Sequence, residues 1–431
     1  MNDTIFHIEG LGGKKTLSGE VKISGAKNAV LPLFASTLLF NGKVSFTNIP
    51  EIEDVHRMLE LLEGIGVKYT KSGTESYTLD ATRVKSTKID HEIAKKLRAS
   101  VMLTGPMLAR LGKVSLPHPG GCVIGARPID IFLGGFRKMG AKCTETGDSY
   151  VITASRKLRG AEIFLRVPSV TATESLMLAA VLAEGKTVIR NTAMEPEISN
   201  LAEFLNRCGA EINGAGTARI EIVGHKGPLK QNGSQWPAIP DRIETGSFLI
   251  LGALCADDLL ISKCEPKHLE SLIVSLIDAG VPVEVGKNSL RIKGNGKIKN
   301  NKFRSFNITT HEYPGFPTDL QAPISVFLTQ SGGEALIFET IFENRLGYTG
   351  DLVTMGAEIR ALDAHRVIIK GETSLKGREL YGPDLRAGLA FIIAALVAKG
   401  ESKIHNVYYI DRGYESIDVK LRSIGAKVER I

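Results

Sequence analysis

Gly425-Ala-Lys-Val428 is the last of six similar stretches that decide the fold of this 431-residue chain. In each stretch, an apolar helical pattern runs up to a glycine, and a small or β-branched residue and a strand pattern follow. The glycines recur at intervals of about 70 residues, which is too long for a solenoid of helical hairpins. They are Gly66, Gly140, Gly209, Gly280, Gly356 and Gly425. The chain is therefore expected to consist of six related subdomains.

The repeats also open alike, with a turn rich in Pro, Ser, Thr or Asp that leads into an apolar helix. Such turns are typical of helix N-termini, where Ser, Thr and Asp act as caps. The stretches are Ser24-Gly-Ala-Lys27, Pro168-Ser-Val-Thr171, Pro240-Asp-Arg-Ile243, Pro317-Thr-Asp-Leu320 and Pro383-Asp-Leu-Arg386. A strand such as Gly42-Lys-Val-Ser-Phe46 follows the helix, so each repeat is predicted to be helix–strand–helix–strand.

Six repeats in one chain of this length most simply form two domains of three. We expect residues 27–239 to form one domain and residues 1–26 with 240–431 to form the other. The strand near Phe6–Ile8 precedes the first repeat and is expected to complete a sheet of the second domain. If the apolar helices face inward, their N-termini point to one end of each domain, where their partial positive charge favours an anion.

The composition excludes several classes of protein. The formal net charge of +7 suits anionic ligands, but no dense Lys/Arg run predicts nucleic-acid binding. The longest clean apolar run, Phe391–Ala398, is too short to span a bilayer, so no membrane insertion is expected. The five cysteines include no C-x-x-C pair, which favours reduced thiols in the cytoplasm and no metal site. Neither a Rossmann nor a P-loop fingerprint occurs, and no cofactor is expected.

The stretch from Pro117 to Asp130 combines flexible backbone with reactive side chains. Its glycines permit a mobile loop, and its prolines forbid a helix through it. Cys122 can donate or accept a proton or act as a nucleophile, and Arg127 can clamp a phosphate or carboxylate. The alternative is an ordinary glycine-rich turn with an incidental cysteine.

Seven motifs together resemble those of the UDP-N-acetylglucosamine 1-carboxyvinyltransferase (MurA) family of enolpyruvyl transferases. The resemblance runs in order from about Ile8 to the C-terminus. The motifs are Ser24-Gly-Ala-Lys-Asn28, the Cys122 loop through Asp130, Pro240-Asp-Arg-Ile-Glu244, Gly315-Phe-Pro-Thr-Asp319, Phe342-Glu-Asn-Arg345, Asp384-Leu-Arg386 and Ile410-Asp-Arg412. The resemblance implies two inside-out α/β barrel domains, each of three helix–strand–helix–strand repeats, with the active site in the cleft between them.

The implied activity is transfer of the enolpyruvyl group of phosphoenolpyruvate to the 3′-hydroxyl of UDP-N-acetylglucosamine, with release of phosphate. In the family this addition–elimination begins peptidoglycan precursor synthesis, and fosfomycin targets the loop cysteine. Cys122 matches that cysteine, which protonates the methylene carbon of phosphoenolpyruvate. Asp319 matches the general base for the sugar hydroxyl, although an aspartate before a helix is also a common N-cap.

The resemblance also implies a set of substrate-binding residues. Lys27, Arg127 and Arg412 match the clamp on the phosphate of phosphoenolpyruvate, and Lys27 and Arg412 count among the catalytic residues. Arg345 and Arg386 match arginines expected to meet its carboxylate, and Asn28 and Arg98 match positions near the amino sugar. The remaining expected substrate-binding residues are Asp130, Ser169, Val170, Asp241, Glu244, Ile341, Asp384 and Leu385. Where some family members have a lysine near the diphosphate, this chain has Val167, and Arg166 could supply the charge.

Two alternatives remain open. One is an enolpyruvyl transferase with another acceptor, such as shikimate 3-phosphate, although those enzymes lack the Gly-Gly-Cys loop and the Gly-Ala-Lys-Asn signature. The other is a catalytically silent relative that binds UDP-sugars, although none of the expected catalytic residues is missing. The sequence indicates no oligomeric state.

Overall fold

The computed structural model describes residues 4–118, 125, 129–231, 233–294 and 303–431. These residues fold as two compact units. Residues 4–24 and 240–431, with Gly125, form the first, which we call the terminal unit because it contains both ends of the described chain. The other described residues between 25 and 239 form the middle unit.

The elements follow in chain order. Residues 4–24 hold the strands β1 (Phe6–Glu9) and β2 (Leu17–Lys22). The middle unit holds α1 (Lys27–Ser36), β3 (Lys43–Thr47), α2 (Glu53–Gly64), β4 (Lys68–Gly73), β5 (Ser76–Asp80), α3 (His91–Lys96), α4 (Thr104–Leu111), β6 (Lys113–Pro117), α5 (Asp130–Lys138), β7 (Lys142–Thr146), β8 (Ser149–Thr153), β9 (Glu162–Phe164), α6 (Val170–Ala180), β10 (Lys186–Arg190), α7 (Pro196–Arg207), β11 (Glu211–Asn213), β12 (Arg219–Val223) and β13 (Trp236–Pro237).

The rest of the terminal unit follows. It holds α8 (Arg242–Cys255), β14 (Ala256–Ser262), α9 (Glu270–Asp278), β15 (Val283–Val285), β16 (Ser289–Lys293), β17 (Ile308–Thr309), α10 (Gln321–Thr329), β18 (Gly333–Phe338), α11 (Thr349–Thr354), β19 (Glu358–Ala361), β20 (Arg366–Gly371), β21 (Glu379–Tyr381), α12 (Leu385–Val397), β22 (Glu401–His405), α13 (Val407–Asp411), α14 (Ile417–Ser423) and β23 (Val428–Arg430). Short 3₁₀ helices lie at Thr37–Leu39, Arg98–Leu103, Pro266–Leu269 and Thr318–Leu320.

The six repeat glycines end six helices in the same way. Their φ angles lie between 95° and 108°, a region that favours glycine. In the first repeat, the amide of Gly66 donates to the carbonyl of Glu63, and the amide of Val67 donates to that of Leu62. The same pair of bonds recurs at the other five glycines. This is a Schellman motif, which stops the helix and turns the chain into the next strand.

Each repeat contributes one small sheet, three per unit. The strand orders in the middle unit are β13-β3-β5-β4, β6-β8-β7 and β11-β12-β10-β9. Those in the terminal unit are β15-β16-β14-β2, β17-β18-β20-β19 and β21-β22-β1-β23. Among the described residues the six sheets remain separate, and none closes on itself into a continuous barrel.

Each repeat contains more strands than the two in the predicted helix–strand–helix–strand pattern. After the second helix the chain usually forms an antiparallel hairpin, such as β4–β5, rather than one strand. A further strand of two or three residues precedes most central helices and pairs in parallel, as β9 does with β10. Strands this short carry too few residues for an alternating pattern, so the sequence did not reveal them.

The N-terminal strands belong to the terminal unit, as the sequence predicted for the strand near Phe6–Ile8. β1 pairs antiparallel with both β22 and β23, and β2 pairs in parallel with β14. β2 lies at the edge of its sheet, and in the middle unit β13 takes the same kind of edge position, paired in parallel with β3.

The apolar central helices lie in the core of each unit, as predicted. Nearly every residue of α6, α8, α10 and α12 is buried, on all sides of the helix. Strands such as β5 and β16 alternate between buried side chains and side chains that are half-buried or exposed, and therefore cover the helices with one face. No helix in the described part of the chain is long and apolar enough to cross a membrane.

Candidate active site

Most of the expected site residues lie where central helices begin. Lys27 and Asn28 open α1, Arg98 opens a 3₁₀ helix, and Val170 opens α6 directly after Ser169. In the terminal unit, Asp241 and Glu244 lie at the start of α8, Asp319 just before α10, and Asp384, Leu385 and Arg386 at the start of α12. Asp130 opens α5, Arg412 follows α13, and Ile341 and Arg345 lie between β18 and α11. Cys122 and Arg127 lie outside the described residues.

Two buried arginines hold the carboxylate of Asp319. Its Oδ1 accepts a hydrogen bond from Nη2 of Arg345 at 2.9 Å, and its Oδ2 accepts one from Nη2 of Arg386 at 2.8 Å. The side chains of Arg345 and Arg386 are 3% and 4% exposed, whereas that of Asp319 is 26% exposed. The carboxylate therefore lies at the boundary between two buried cations and solution.

Asp241 and Asp384 act differently, because they cap helices. Oδ1 of Asp241 accepts from the amides of Ile243 and Glu244 at 2.7 and 2.9 Å. Oδ1 of Asp384 accepts from the amides of Arg386 and Ala387 at 2.7 and 3.1 Å. These amides are already satisfied, so the helix N-termini offer less to an external anion than the sequence suggested. The guanidinium groups are the stronger anion-binding groups here.

A buried carboxylate, Glu339, fixes the turn that carries Asp319. One of its oxygens accepts from the hydroxyl of Thr318 at 2.8 Å. The other accepts from the amides of Ile341 and Phe342 at 2.9 and 3.2 Å. Glu339 therefore connects the Asp319 turn to the segment that carries Ile341 and Arg345.

Glu244, expected to line the nucleotide-sugar side, lies in an internal network. Its carboxylate accepts from Nζ of Lys420 at 2.5 Å and from the amide of Ser24 at 2.9 Å. Burial raises the pKa of Glu244 above its ordinary value, and the charge of Lys420 opposes this. The carboxylate thus has strong partners within the terminal unit.

Arg386 has a second partner in Tyr414. Nη1 of Arg386 donates to the Tyr414 hydroxyl at 2.8 Å. Burial by itself lowers the pKa of Arg386, but the charge of Asp319 and the nearby Tyr414 and Asp241 outweigh it and raise the pKa. Burial raises the pKa of Tyr414 to about 12, so its hydroxyl keeps its proton at neutral pH. Arg386 is therefore a permanent cation in this site.

In the middle unit, Lys27 is oriented by an acid that the sequence analysis did not single out. Nζ of Lys27 donates to Oδ2 of Asp54 at 3.3 Å, and the two side chains are 13% and 4% exposed. Asp54 lies in the first turn of α2. Its place 27 residues after Lys27 gave no periodic signal, because the contact joins the starts of two different helices.

Asp130 is paired with Arg166 on the surface of the middle unit, with Nη1 of Arg166 2.8 Å from Oδ2 of Asp130. Both residues border a shallow pocket with Ile131, Lys138 and Phe164. Phe164 is 63% exposed, which is unusual for a phenylalanine. Phe164 is the last residue of the short strand β9, whose existence the sequence did not reveal.

The four described cysteines are not suited to chemistry. Cys208, Cys255 and Cys264 are buried and Cys143 is half-buried. Burial raises the pKa of Cys208 and Cys264 to about 11 and that of Cys255 to about 12. These three thiols stay protonated at neutral pH and act as small hydrophobic residues.

Two solved structures share the fold of this chain. The enolpyruvyl transferase NikO from Streptomyces tendae matches with a TM-score of 0.89 at 22% identity, covering 100% of this chain and 99% of that one. The EPSP synthase from Acinetobacter baumannii matches with a TM-score of 0.75 at 17% identity, covering 99% and 100%. At these identities the likeness shows the fold alone, and that fold is the enolpyruvyl transferase fold, as predicted.

Sequence comparison then identifies the family. The family model of EPSP synthase (3-phosphoshikimate 1-carboxyvinyltransferase) matches residues 11–421. UDP-N-acetylglucosamine 1-carboxyvinyltransferase 2 of Carboxydothermus hydrogenoformans is 45% identical over 97% of this chain and 98% of the relative. The UDP-N-acetylglucosamine 1-carboxyvinyltransferase of Desulfatibacillum aliphaticivorans is 44% identical over 97% and 98%. The chain therefore belongs to this family of enolpyruvyl transferases, on its UDP-N-acetylglucosamine 1-carboxyvinyltransferase branch, which confirms the resemblance seen in its motifs.

Proposed function

We propose that this chain transfers the enolpyruvyl group of phosphoenolpyruvate to the 3′-hydroxyl of UDP-N-acetylglucosamine and releases phosphate. Supporting this is the Arg345–Asp319–Arg386 cluster, in a chain that aligns almost end to end with relatives of that name. In this cluster, Asp319 is a candidate base for the sugar hydroxyl, and the two arginines are cations that can bind the carboxylate of phosphoenolpyruvate. The reaction would supply a peptidoglycan precursor in the cytoplasm, where thiols stay reduced.

In the terminal unit, Asp319 takes the proton of the 3′-hydroxyl as its oxygen attacks C2 of phosphoenolpyruvate. A base must lie within hydrogen-bond reach of that proton, and a partly exposed carboxylate can do so. Arg345 and Arg386 have further guanidinium donors besides those bonded to Asp319 and can bind the substrate carboxylate. Nε of Arg386 is buried and has no acceptor among the described residues.

Cys122 donates a proton to C3, which completes the addition and gives a tetrahedral ketal phosphate. Lys27, Arg127 and Arg412 hold the phosphate group, which then leaves with its bonding electrons as C3 gives up a proton to the Cys122 thiolate. The new double bond completes the enolpyruvyl ether. The Lys27–Asp54 pair supports this role, because the carboxylate orients the ammonium group of Lys27.

The nucleotide sugar contacts a second group of residues in this proposal. Asn28 and Arg98 meet the amino sugar, and the helix start at Ser169 and Val170 lies near the diphosphate. The remaining contacts are assigned to Asp130, Asp241, Glu244, Ile341, Asp384 and Leu385. For Asp241, Glu244 and Asp384, whose carboxylates have partners in their own unit, we expect contact by side-chain edges or backbone.

The test is phosphate release from phosphoenolpyruvate with UDP-N-acetylglucosamine, with shikimate 3-phosphate in its place, or with no acceptor. We expect release only with UDP-N-acetylglucosamine, together with a product heavier by the enolpyruvyl group in mass spectrometry. Release with shikimate 3-phosphate alone would assign the chain a different acceptor. Binding of UDP-N-acetylglucosamine without any release would indicate a catalytically silent relative.

A further inference from the structure

We propose that Tyr414 is a positioning residue that holds the Arg386 guanidinium in the orientation needed to bind the carboxylate of phosphoenolpyruvate. Tyr414 is not among the expected site residues. The inference deepens the proposed function and rests on it for the identity of the ligand.

The contacts of Arg386 define the orientation. Its guanidinium donates from Nη1 to the Tyr414 hydroxyl at 2.8 Å and from Nη2 to Asp319 at 2.8 Å. The Arg386 guanidinium carbon also lies 5.4 Å from the centre of the Tyr414 ring. These two acceptors lie on different sides of the guanidinium group and fix its plane. In this orientation Nε has no acceptor in the described structure.

Tyr414 is well suited to this task because it is itself immobile. Its residue is 1% exposed, and its amide donates to the carbonyl of Ile410 at 3.0 Å. It lies two residues after Arg412, whose amide donates to the carbonyl of Tyr408 in the same turn. The Tyr414–Arg386 bond therefore links the start of α12 to the turn that carries Arg412, so that one hydroxyl fixes the spacing of two expected substrate-binding arginines.

Loss of the hydroxyl should affect one substrate more than the other. Without it, Nη1 of a buried cation loses its acceptor, and the guanidinium can turn toward Asp319. A hydrogen bond to a charged group that is lost in this way corresponds to about a tenfold change in affinity. The KM for phosphoenolpyruvate should therefore rise, while the KM for UDP-N-acetylglucosamine should not.

Tyr348 provides a matched control within the same unit. It is also a buried tyrosine, 2% exposed, and its hydroxyl is 2.6 Å from that of Ser325. Tyr348→Phe removes the same atom from the same kind of environment without touching Arg386. Thermal unfolding of both variants shows whether the two changes cost similar stability.

The experiment measures steady-state kinetics for the parent chain, Tyr414→Phe and Tyr348→Phe. In Tyr414→Phe we expect KM for phosphoenolpyruvate to rise about tenfold, with KM for UDP-N-acetylglucosamine and inhibition by inorganic phosphate within about twofold of the parent. Tyr348→Phe should match the parent in all three. Equal effects in the two variants, or a loss of phosphate inhibition, would overturn the positioning role.

A crystal structure of Tyr414→Phe separates this inference from the proposed function. We expect the Arg386 guanidinium to leave its present orientation, whatever the substrate of the chain proves to be. If Arg386 still donates to Asp319 from Nη2 with an unchanged fork, Tyr414 does not position it. An inactive parent chain would instead contradict the proposed function and leave this structural readout valid.

Discussion

Asp241 and Asp384 stand directly before central helices of the terminal unit, and Asp319 holds the corresponding place in the repeat between them. The first two direct their carboxylates to backbone amides of their own helices. Asp319 directs its carboxylate to Arg345 and Arg386, which come from two other segments. Three aspartates in related positions thus have two different roles. Two of them cap helices, and the third keeps its own carboxylate partly exposed while two arginines bind it.

The difference comes from local geometry. Asp241 and Asp384 are the residues before the first helical residue, whereas Asp319 lies within a 3₁₀ turn, two residues before α10 begins. Glu339 fixes that turn through Thr318. Asp319 is thus one residue farther from its helix than the two capping aspartates, and its side chain points in a different direction. For this reason it is a candidate base rather than a helix cap.

The largest effect that separates the two kinds of aspartate is expected in Asp319→Asn. The amide cannot accept the hydroxyl proton usefully, so kcat should fall by roughly 10²–10⁴-fold. Its oxygen still accepts from an arginine, and phosphoenolpyruvate should still bind in a calorimetric titration. Asp258→Asn is the control, because Asp258 also pairs with an arginine, Arg291, but on the exposed surface of a sheet. A similar kcat in both variants would return Asp319 to a structural role.

A smaller effect is expected when the turn rather than the carboxylate is changed. Thr318→Val keeps the shape of the side chain but removes the hydrogen bond to Glu339, so Asp319 is oriented less well and kcat should fall about tenfold. Thr349→Val is the control, because it removes a hydroxyl bond of the same length, 2.8 Å, to the carbonyl of Leu346. Steady-state phosphate release compares the two, and an equal loss in both would mean that the Thr318 bond has no special role.

For a capping aspartate the expected effect is on stability. Asp384→Ala removes the acceptor for two amides at the start of α12 and should lower the free energy of unfolding by about 1 kcal/mol. Asp384→Asn should recover most of it, because asparagine is also a good N-cap. Urea denaturation followed by circular dichroism measures both. Equal losses in the two variants would show that the charge, rather than the cap, stabilises this helix.

The last effect concerns the ionisation of Tyr414 beside Arg386, and it is confined to high pH. Its pKa in the folded chain is about 12, against about 10 when unfolded. A raised pKa stabilises the folded state fully below pH 10, and this contribution is lost as the pH rises through 12. The difference in tyrosinate absorbance between the parent and Tyr414→Phe should therefore develop near pH 12. Ionisation near pH 10 in the folded chain would mean that Tyr414 is not buried as described.

Much of the fold could be predicted from the sequence, because its signals are local. Each of the six glycines marks the end of a helix within its own repeat. The continuous apolar helices indicate which segments form the core. The short parallel strands could not be predicted, since β13 and β17 contain two residues each. Their pairing depends on partners far along the chain.

For the candidate site the motifs predict residue types and positions, but they do not predict the contacts between its side chains. The motifs placed Asp319 and Arg386 in the site, yet nothing in them indicated that the two side chains bond to each other across 67 residues. The same holds for Lys27 with Asp54 and for Glu244 with Lys420. The Asp319–Arg386 and Glu244–Lys420 contacts join different repeats, whereas the Lys27–Asp54 contact joins the starts of two helices within the first repeat. No local sequence pattern indicates any of the three.

The most direct test is a crystal structure of the chain with UDP-N-acetylglucosamine alone, so that no reaction occurs. We expect the 3′-hydroxyl oxygen within about 2.6–3.2 Å of an Asp319 carboxylate oxygen, the reach of a general base. Asp241 and Asp384 should keep their bonds to the backbone amides. A 3′-hydroxyl bonded to another carboxylate, with Asp319 turned away from it, would contradict the assignment of Asp319 as the base.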